Sequence, residues 1–218
     1  MGIVKIFAGA LLALSVTTLH ASPIVTLGNL GDIHTSVAGA IEYTFDDFAC
    51  PYASCVGDYA ILSESISGKA ALPFSAATNY ISVPYNNLPG SVTFGLGFNA
   101  DYFGLYWGSV DAYNSISFFN DAELLGTYTG SDLVGAFANG NQMNFSSNRF
   151  INFQFGGGDV FNKITMTSTN WAFESDNHAV ASASVLIDIP ASVPEPATAL
   201  MMILGLIGVG STRRKRIA

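Results

Sequence analysis

Tyr102-Phe103-Gly104-Leu105-Tyr106-Trp107-Gly108-Ser109-Val110-Asp111-Ala112-Tyr113-Asn114-Ser115-Ile116-Ser117-Phe118-Phe119 reads as two aromatic strands joined by a polar turn. Tyr, Phe, Trp and Ile suit a half-buried pleated surface. Gly104 and Gly108 permit close backbone approach. Ser109, Asp111 and Asn114 are residue types that bond local backbone and fix a connection. The aromatics are numerous enough to face both a core and solvent. Trp107 and Tyr113 are therefore candidate glycan contacts, an aromatic platform with a polar rim, set against plain core packing.

The same alternation recurs outward along the chain. Further strands are expected at Ala40–Phe45, Tyr59–Ile66, Ser91–Phe98, Leu124–Thr129, Phe150–Phe155, Lys163–Ser168 and Ala179–Ile187. Asn, Gly, Pro and Asp clusters such as Asn86–Gly90 and Gly156–Asp159 punctuate them. One short helix is expected near Ser131–Ala138, with Ser131 or Asp132 as its cap. The fold class is all-β, an antiparallel β-sandwich of jelly-roll type. It occupies residues 22–190, flanked by an N-terminal signal peptide (1–21) and a C-terminal membrane helix within 191–218.

The chain has 218 residues, a formal net charge of -8 and only 11% charged residues. Between the two ends its basic residues are Lys69, Arg149 and Lys163, against many acids. Such a domain repels polyanions, which excludes nucleic acid as a partner. Its polar, weakly charged surface suits neutral sugars or self-association, and is also the usual composition of secreted β proteins. Cys50 and Cys55 enclose four residues. In an exported protein this spacing is expected to close as a local disulfide. A redox site of the thioredoxin type would want two intervening residues, and a metal site would want more Cys or His nearby.

The ends carry addresses. Lys5, the apolar run Ile6–Val16 and a small residue at Ala21 or Ser22 have the layout of a secretory signal peptide. At the other end stand Pro194-Glu195-Pro196, the uncharged run Ala197–Gly210, and Arg213-Arg214-Lys215-Arg216. The run would be roughly 21 Å long as a helix, short against the roughly 20 residues that span a bilayer core. The cationic cluster holds its end on the cytoplasmic side. Pro194 and Pro196 keep the preceding segment out of the helix.

This three-part terminus resembles the PEP-CTERM sorting signal of Gram-negative bacteria. The resemblance implies recognition by a membrane-embedded exosortase, transient residence in the membrane, and delivery to the cell surface or extracellular matrix. The Trp-Gly-Ser-x-Asp-x-Tyr-Asn core beginning at Trp107 resembles a segment of one group of exosortase-dependent surface proteins. Trp171-Ala172-Phe173-Glu174-Ser175-Asp176-Asn177-His178 resembles a Phe-Glu-x-Asp-Asn stretch late in such sandwiches and in some carbohydrate-binding jelly rolls. Glu174, Asp176 and Asn177 are hard oxygen donors, hence a candidate calcium site, which needs further oxygens from other loops. Asp46, Asp47 and Asp58 are the available acids. The bland expectation is a solvated acidic turn before the last strand.

No cofactor is required by any motif. HExxH, GxSxG, Walker A and GxGxxG patterns are missing, and only His34 and His178 lie between the two ends. The expectation is a non-enzymatic exported surface or matrix protein, adhesive or associated with extracellular polysaccharide. One alternative is a secreted glycan-active enzyme using paired carboxylates, Asp46/Asp47 or Glu174/Asp176. Another is an ice-binding or self-assembling surface protein. That reading needs a regular array of Thr on one face, and Thr165, Thr167 and Thr169 give a single row.

Overall fold

The computed structural model describes residues 21–76 and 78–182. The signal peptide, the boundary at 190/191, the sorting signal and its membrane helix lie outside the described residues.

Among the described residues twelve strands form two antiparallel sheets: β1 (Ile24–Leu27), β2 (Ile41–Tyr43), β3 (Ser54–Gly57), β4 (Ala60–Leu62), β5 (Tyr80–Val83), β6 (Gly90–Ala100), β7 (Tyr102–Gly108), β8 (Asn114–Asn120), β9 (Glu123–Thr129), β10 (Arg149–Gln154), β11 (Phe161–Ser168) and β12 (Phe173–Ala181). The first sheet runs β1-β10-β7-β12-β5-β4, with β2 also on β12. The second runs β3-β6-β11-β8-β9. The chain crosses between sheets at β2–β3, β3–β4, β5–β6, β6–β7, β7–β8, β9–β10, β10–β11 and β11–β12, a jelly-roll-like winding. The all-β antiparallel sandwich expected from the alternation is the architecture observed.

The core lies between the sheets. Phe103, Leu105 and Trp107 of β7, Val92, Phe94 and Leu96 of β6, Ile116 and Phe118 of β8, and Ile164 and Met166 of β11 share one buried cluster. These are alternate residues on each strand, as a pleated surface facing one way requires. The first sheet is also covered on its other side. Tyr102 and Tyr106, the opposite parity on β7, are buried as well. Their hydroxyls donate to Asn152 Oδ1 and to the Phe74 carbonyl. β7 and β12 are therefore buried along their whole length. Gly104 and Gly108 give the close approach expected of them. A Cβ at Gly104 would lie 2.7 Å from the Phe150 ring, and one at Gly108 would lie 2.7 Å from Pro73 Cβ.

Several expectations shift. β1, β3 and β5 are additional strands of four residues each. The helix α1 (Gly130–Val134) starts earlier than expected. Its cap is Thr129, in a reciprocal box with Asp132. The last described strand is Phe173–Ala181 rather than Ala179–Ile187. The Phe-Glu-x-Asp-Asn stretch is thus a buried central strand and not a solvated turn.

Candidate functional site

Two stretches distinctive in sequence meet in space. Trp107 stacks on Phe173, with ring centroids 3.9 Å apart and planes at 12°. Ser109 Oγ donates to Glu174 Oε2 at 3.2 Å. Tyr113 Oη donates to the Trp171 carbonyl at 2.6 Å, and Asn114 Nδ2 donates to the Ala172 carbonyl at 2.9 Å. Ser168 Oγ donates to the Asn170 carbonyl, and the Trp171 amide donates to Asn170 Oδ1. The Trp-Gly-Ser-x-Asp-x-Tyr-Asn segment is therefore a bracket that holds the turn 169–172.

This corrects the candidate glycan platform. Trp107 shares its parity with Phe103 and Leu105, points into the core and is 0% exposed. Tyr113 is half-buried, with its hydroxyl on the Trp171 backbone. The tryptophan that the bracket presents to solvent is Trp171, which is partly exposed.

Trp171 lines a cleft of about 500 Å³ together with Asn170, Gln142, Lys69, Ser65 and Glu174. The Ser65–Ala71 turn forms its other wall, closed by an antiparallel bridge between Ile66 and Ala70. Lys69 Nζ sits 3.7 Å from the Tyr85 ring centroid and 5.2 Å from that of Trp171. Glu174 forms part of the lining and is almost fully buried. It accepts from the Ala71 amide at 2.8 Å and from Ser109. Burial pushes its carboxyl up to about 8, against the pull of those hydrogen bonds.

Glu174 and Asp176 share one face of β12 but bond different protein donors. Asp176 accepts from Thr78 Oγ1 at 3.0 Å and from the Asn177 amide, and burial raises it to about 7. The Asn177 side chain donates to the Ile33 carbonyl. Asp58 organises the Tyr85–Asn87 turn through three backbone amides, and Asp46 accepts from the Asn79 amide. Among the described residues no group of three or more His, Cys, Asp and Glu side chains is placed to hold a metal ion. The cleft has one carboxyl in its lining, so no facing pair of carboxylates is assembled there.

A bulge in β12 sets up a second cluster that sequence reasoning did not foresee. Asp176 opposes Tyr106 while Ala179 opposes Gly104, so β12 carries one extra residue. Asn177 absorbs it at φ 48°, a conformation Asn tolerates better than most residues. The bulge swaps parity and turns His178 into the core. His178 Nε2 lies 2.9 Å from Ser175 Oγ, and Nδ1 lies 2.7 Å from Tyr52 Oη. The rings of Phe45, Phe94 and Phe103 meet the imidazole edge to face. Burial lowers its pKa to about 3. The pair has the contacts of a serine nucleophile and its base, yet both residues are 0% exposed. With Tyr52, from the loop that leads into β3 of the second sheet, His178 of β12 makes an inter-sheet clamp. Cys50 and Cys55 are disulfide-bonded as expected, and the loop they close carries Tyr52 to His178.

These shifts set a pH dependence. Glu174 and Asp176 have raised folded values, so their contribution is whole below about pH 4 and is lost as pH climbs through 7 to 8. His178 has a lowered value, so its contribution is whole above about pH 6.5 and is lost as pH falls toward 3. Between about pH 4 and 6.5 two carboxyls lose stability with rising pH while one imidazole gains it, so stability is expected to peak near about pH 4, with Tm several degrees lower at about pH 8.5. Glu174→Gln, which cannot ionise, is expected to flatten the alkaline limb. Equal wild-type Tm across that limb would contradict this account.

The outer face of the second sheet carries an ordered hydroxyl array. One cross-strand row is Ser91, Thr167, Ser115, Thr129; the next is Thr93, Thr165, Ser117, Thr127. Thr93 and Thr165 bond at 2.9 Å, Ser117 and Thr127 at 2.8 Å. Thr169 lies beyond β11 in the following turn and is not part of the array.

The chain matches the PEP-CTERM protein-sorting motif over residues 192–216. That span includes Pro194-Glu195-Pro196 and Arg213–Arg216, as the resemblance implied. The motif marks an exported protein, sorted through the membrane to the cell surface, and implies exosortase processing. No curated protein matches the chain. Among solved structures, the K2 cleaved adhesin domain of Lys-gingipain is 13% identical, with 66% of this chain and 99% of that chain covered and a TM-score of 0.41. The structure of CsCBM6-3 from Clostridium stercorarium in complex with cellobiose is 14% identical, with 70% and 99% covered and a TM-score of 0.34. Likenesses this loose assign no ligand to the chain.

Proposed function

We propose that this protein is an exported, non-enzymatic surface component that holds extracellular polysaccharide in the Trp171 cleft. The observation that carries the reading is the bracketed turn. Its hydrogen bonds fix a partly exposed tryptophan beside Asn170, Gln142 and Ser65, in a cleft sized for a sugar ring. An apolar ring face stacks on indole, while amides and hydroxyls orient the equatorial hydroxyls. Exosortase is the partner in sorting; the polysaccharide is the partner afterwards.

The chain has two tryptophans, and Trp107 is in the core, so a ligand-induced change in indole fluorescence reports Trp171. Titration with soluble β-glucan and xylan fragments is expected to saturate; followed by calorimetry, which needs no indole reporter, Trp171→Ala is expected to weaken binding at least about tenfold with the Tm retained, since truncating an aromatic anchor typically costs about 2 kcal/mol or more. Undiminished binding in that variant would reject the cleft as the site.

The hydroxyl array favours a second reading, in which the same exported domain binds ice or assembles with copies of itself. Eight Ser and Thr side chains in two rows supply the regularity that one row lacked. Sheet twist turns each strand by roughly 20–25° against the next, which limits the match to a planar lattice. Inhibition of ice recrystallisation, abolished by Thr165→Lys, would support it; wild-type protein without effect on ice and without self-association would end it.

A further inference from the structure

We propose that the cleft prefers glycans bearing an isolated uronic acid, with the Lys69 ammonium receiving its carboxylate while Trp171 stacks the sugar face. This rests on the polysaccharide reading above and names the ligand class. The described residues contain three cations. Arg149 donates to the Gly28 carbonyl, and Lys163 donates to the Asp121 carbonyl at 2.7 Å. Lys69 differs from both. Its ammonium lies over the Tyr85 and Trp171 rings. Among the described residues no protein oxygen accepts a hydrogen bond from it, and no carboxylate lies within 4 Å.

Two aromatic faces hold that ammonium in position and leave its N–H donors facing the cleft. The carboxyl in the cleft lining, Glu174, does not neutralise it. Burial keeps Glu174 largely in its uncharged form at neutral pH, so the cleft is locally cationic on a domain that is acidic elsewhere. The contrast fixes the kind of anion. A dense polyuronate is repelled by the surrounding acids. A single carboxylate in a neutral chain feels chiefly the nearest charge, because more distant ones are screened beyond roughly 8 Å.

The test compares a xylo-oligosaccharide carrying one glucuronate branch with the unbranched oligosaccharide of the same length, by indole fluorescence on the intact protein. The branched probe is expected to bind about five-fold tighter at low salt, as for a partly exposed ion pair. The advantage should shrink on adding salt. Lys69→Gln is expected to remove the advantage while neutral binding persists, and Lys69→Arg to keep it. Equal affinity for both probes, or an advantage that survives Lys69→Gln, overturns this inference and leaves the polysaccharide reading standing. Failure of both probes to bind overturns the two together.

Discussion

His178→Ala is expected to destabilise the domain by about 4 kcal/mol. Removing a large buried ring leaves a cavity, and such truncations typically cost about 3–5 kcal/mol. The imidazole also satisfies two buried hydroxyls, Tyr52 Oη and Ser175 Oγ. An orphaned buried hydroxyl costs roughly 1–3 kcal/mol, unless water enters the space. Against a total stability of about 5–15 kcal/mol for a domain, the loss is a large fraction. Denaturant unfolding measures it directly. Tyr52→Phe removes only one hydrogen bond and should cost about 1–2 kcal/mol. In a double-mutant cycle the two changes should be strongly non-additive, because they share a partner. An effect below about 1 kcal/mol for His178→Ala would mean that the inter-sheet clamp does not support the fold.

Replacing Pro194, Glu195 and Pro196 together with alanine is expected to abolish surface delivery, leaving unprocessed chain in the membrane fraction. Proline has a fixed φ and no backbone donor, and Glu195 sets one carboxylate between two of them, so the triplet is a chemically distinct element to recognise. Alanine, the best helix former, removes both backbone restrictions and the carboxylate. Neutralising Arg213–Arg216 should fail differently, by loosening the orientation of the span. Mass measurement and fractionation distinguish the two outcomes. Normal processing of the triple-alanine chain would rule out recognition through this element.

The strands that sequence disclosed are those with long period-two runs. Ser91–Phe98, Tyr102–Trp107 and Lys163–Ser168 fall inside β6, β7 and β11. β1, β3 and β5 show no extended alternation, whereas β2 and β4, of three residues each, sit inside the longer apolar-polar runs Ala40–Phe45 and Tyr59–Ile66. β12 was misplaced for another reason. Its Glu-Ser-Asp-Asn-His run is polar, yet all nine residues of the strand are buried. Their partners, Ala71, Thr78, Ser109 and Tyr52, come from remote loops, and a local window sees none of them. The bulge at Asn177 further breaks the alternation that would have announced a strand.

The candidate site was half legible. The bracket residues Ser109, Tyr113 and Asn114 and the Trp171 stretch were both conspicuous, but nothing local says that they touch. Trp107 was the wrong tryptophan, and its parity with Phe103 and Leu105 already pointed inward. Trp171 follows Thr-Asn outside any alternating run, which is the signal of an exposed ring. Lys69 gave no signal at all, because its meaning depends on Tyr85 and Trp171 arriving from distant parts of the chain.

The Cys50–Cys55 tether has a consequence in time. Thiols stay reduced in a bacterial cytoplasm, so the tether closes only on the far side of the membrane. Until then the loop that delivers Tyr52 is untied, and the docking of that phenol on His178 lacks its brace. An exported chain benefits from such a delay: final tightening waits for the oxidising space beyond the membrane.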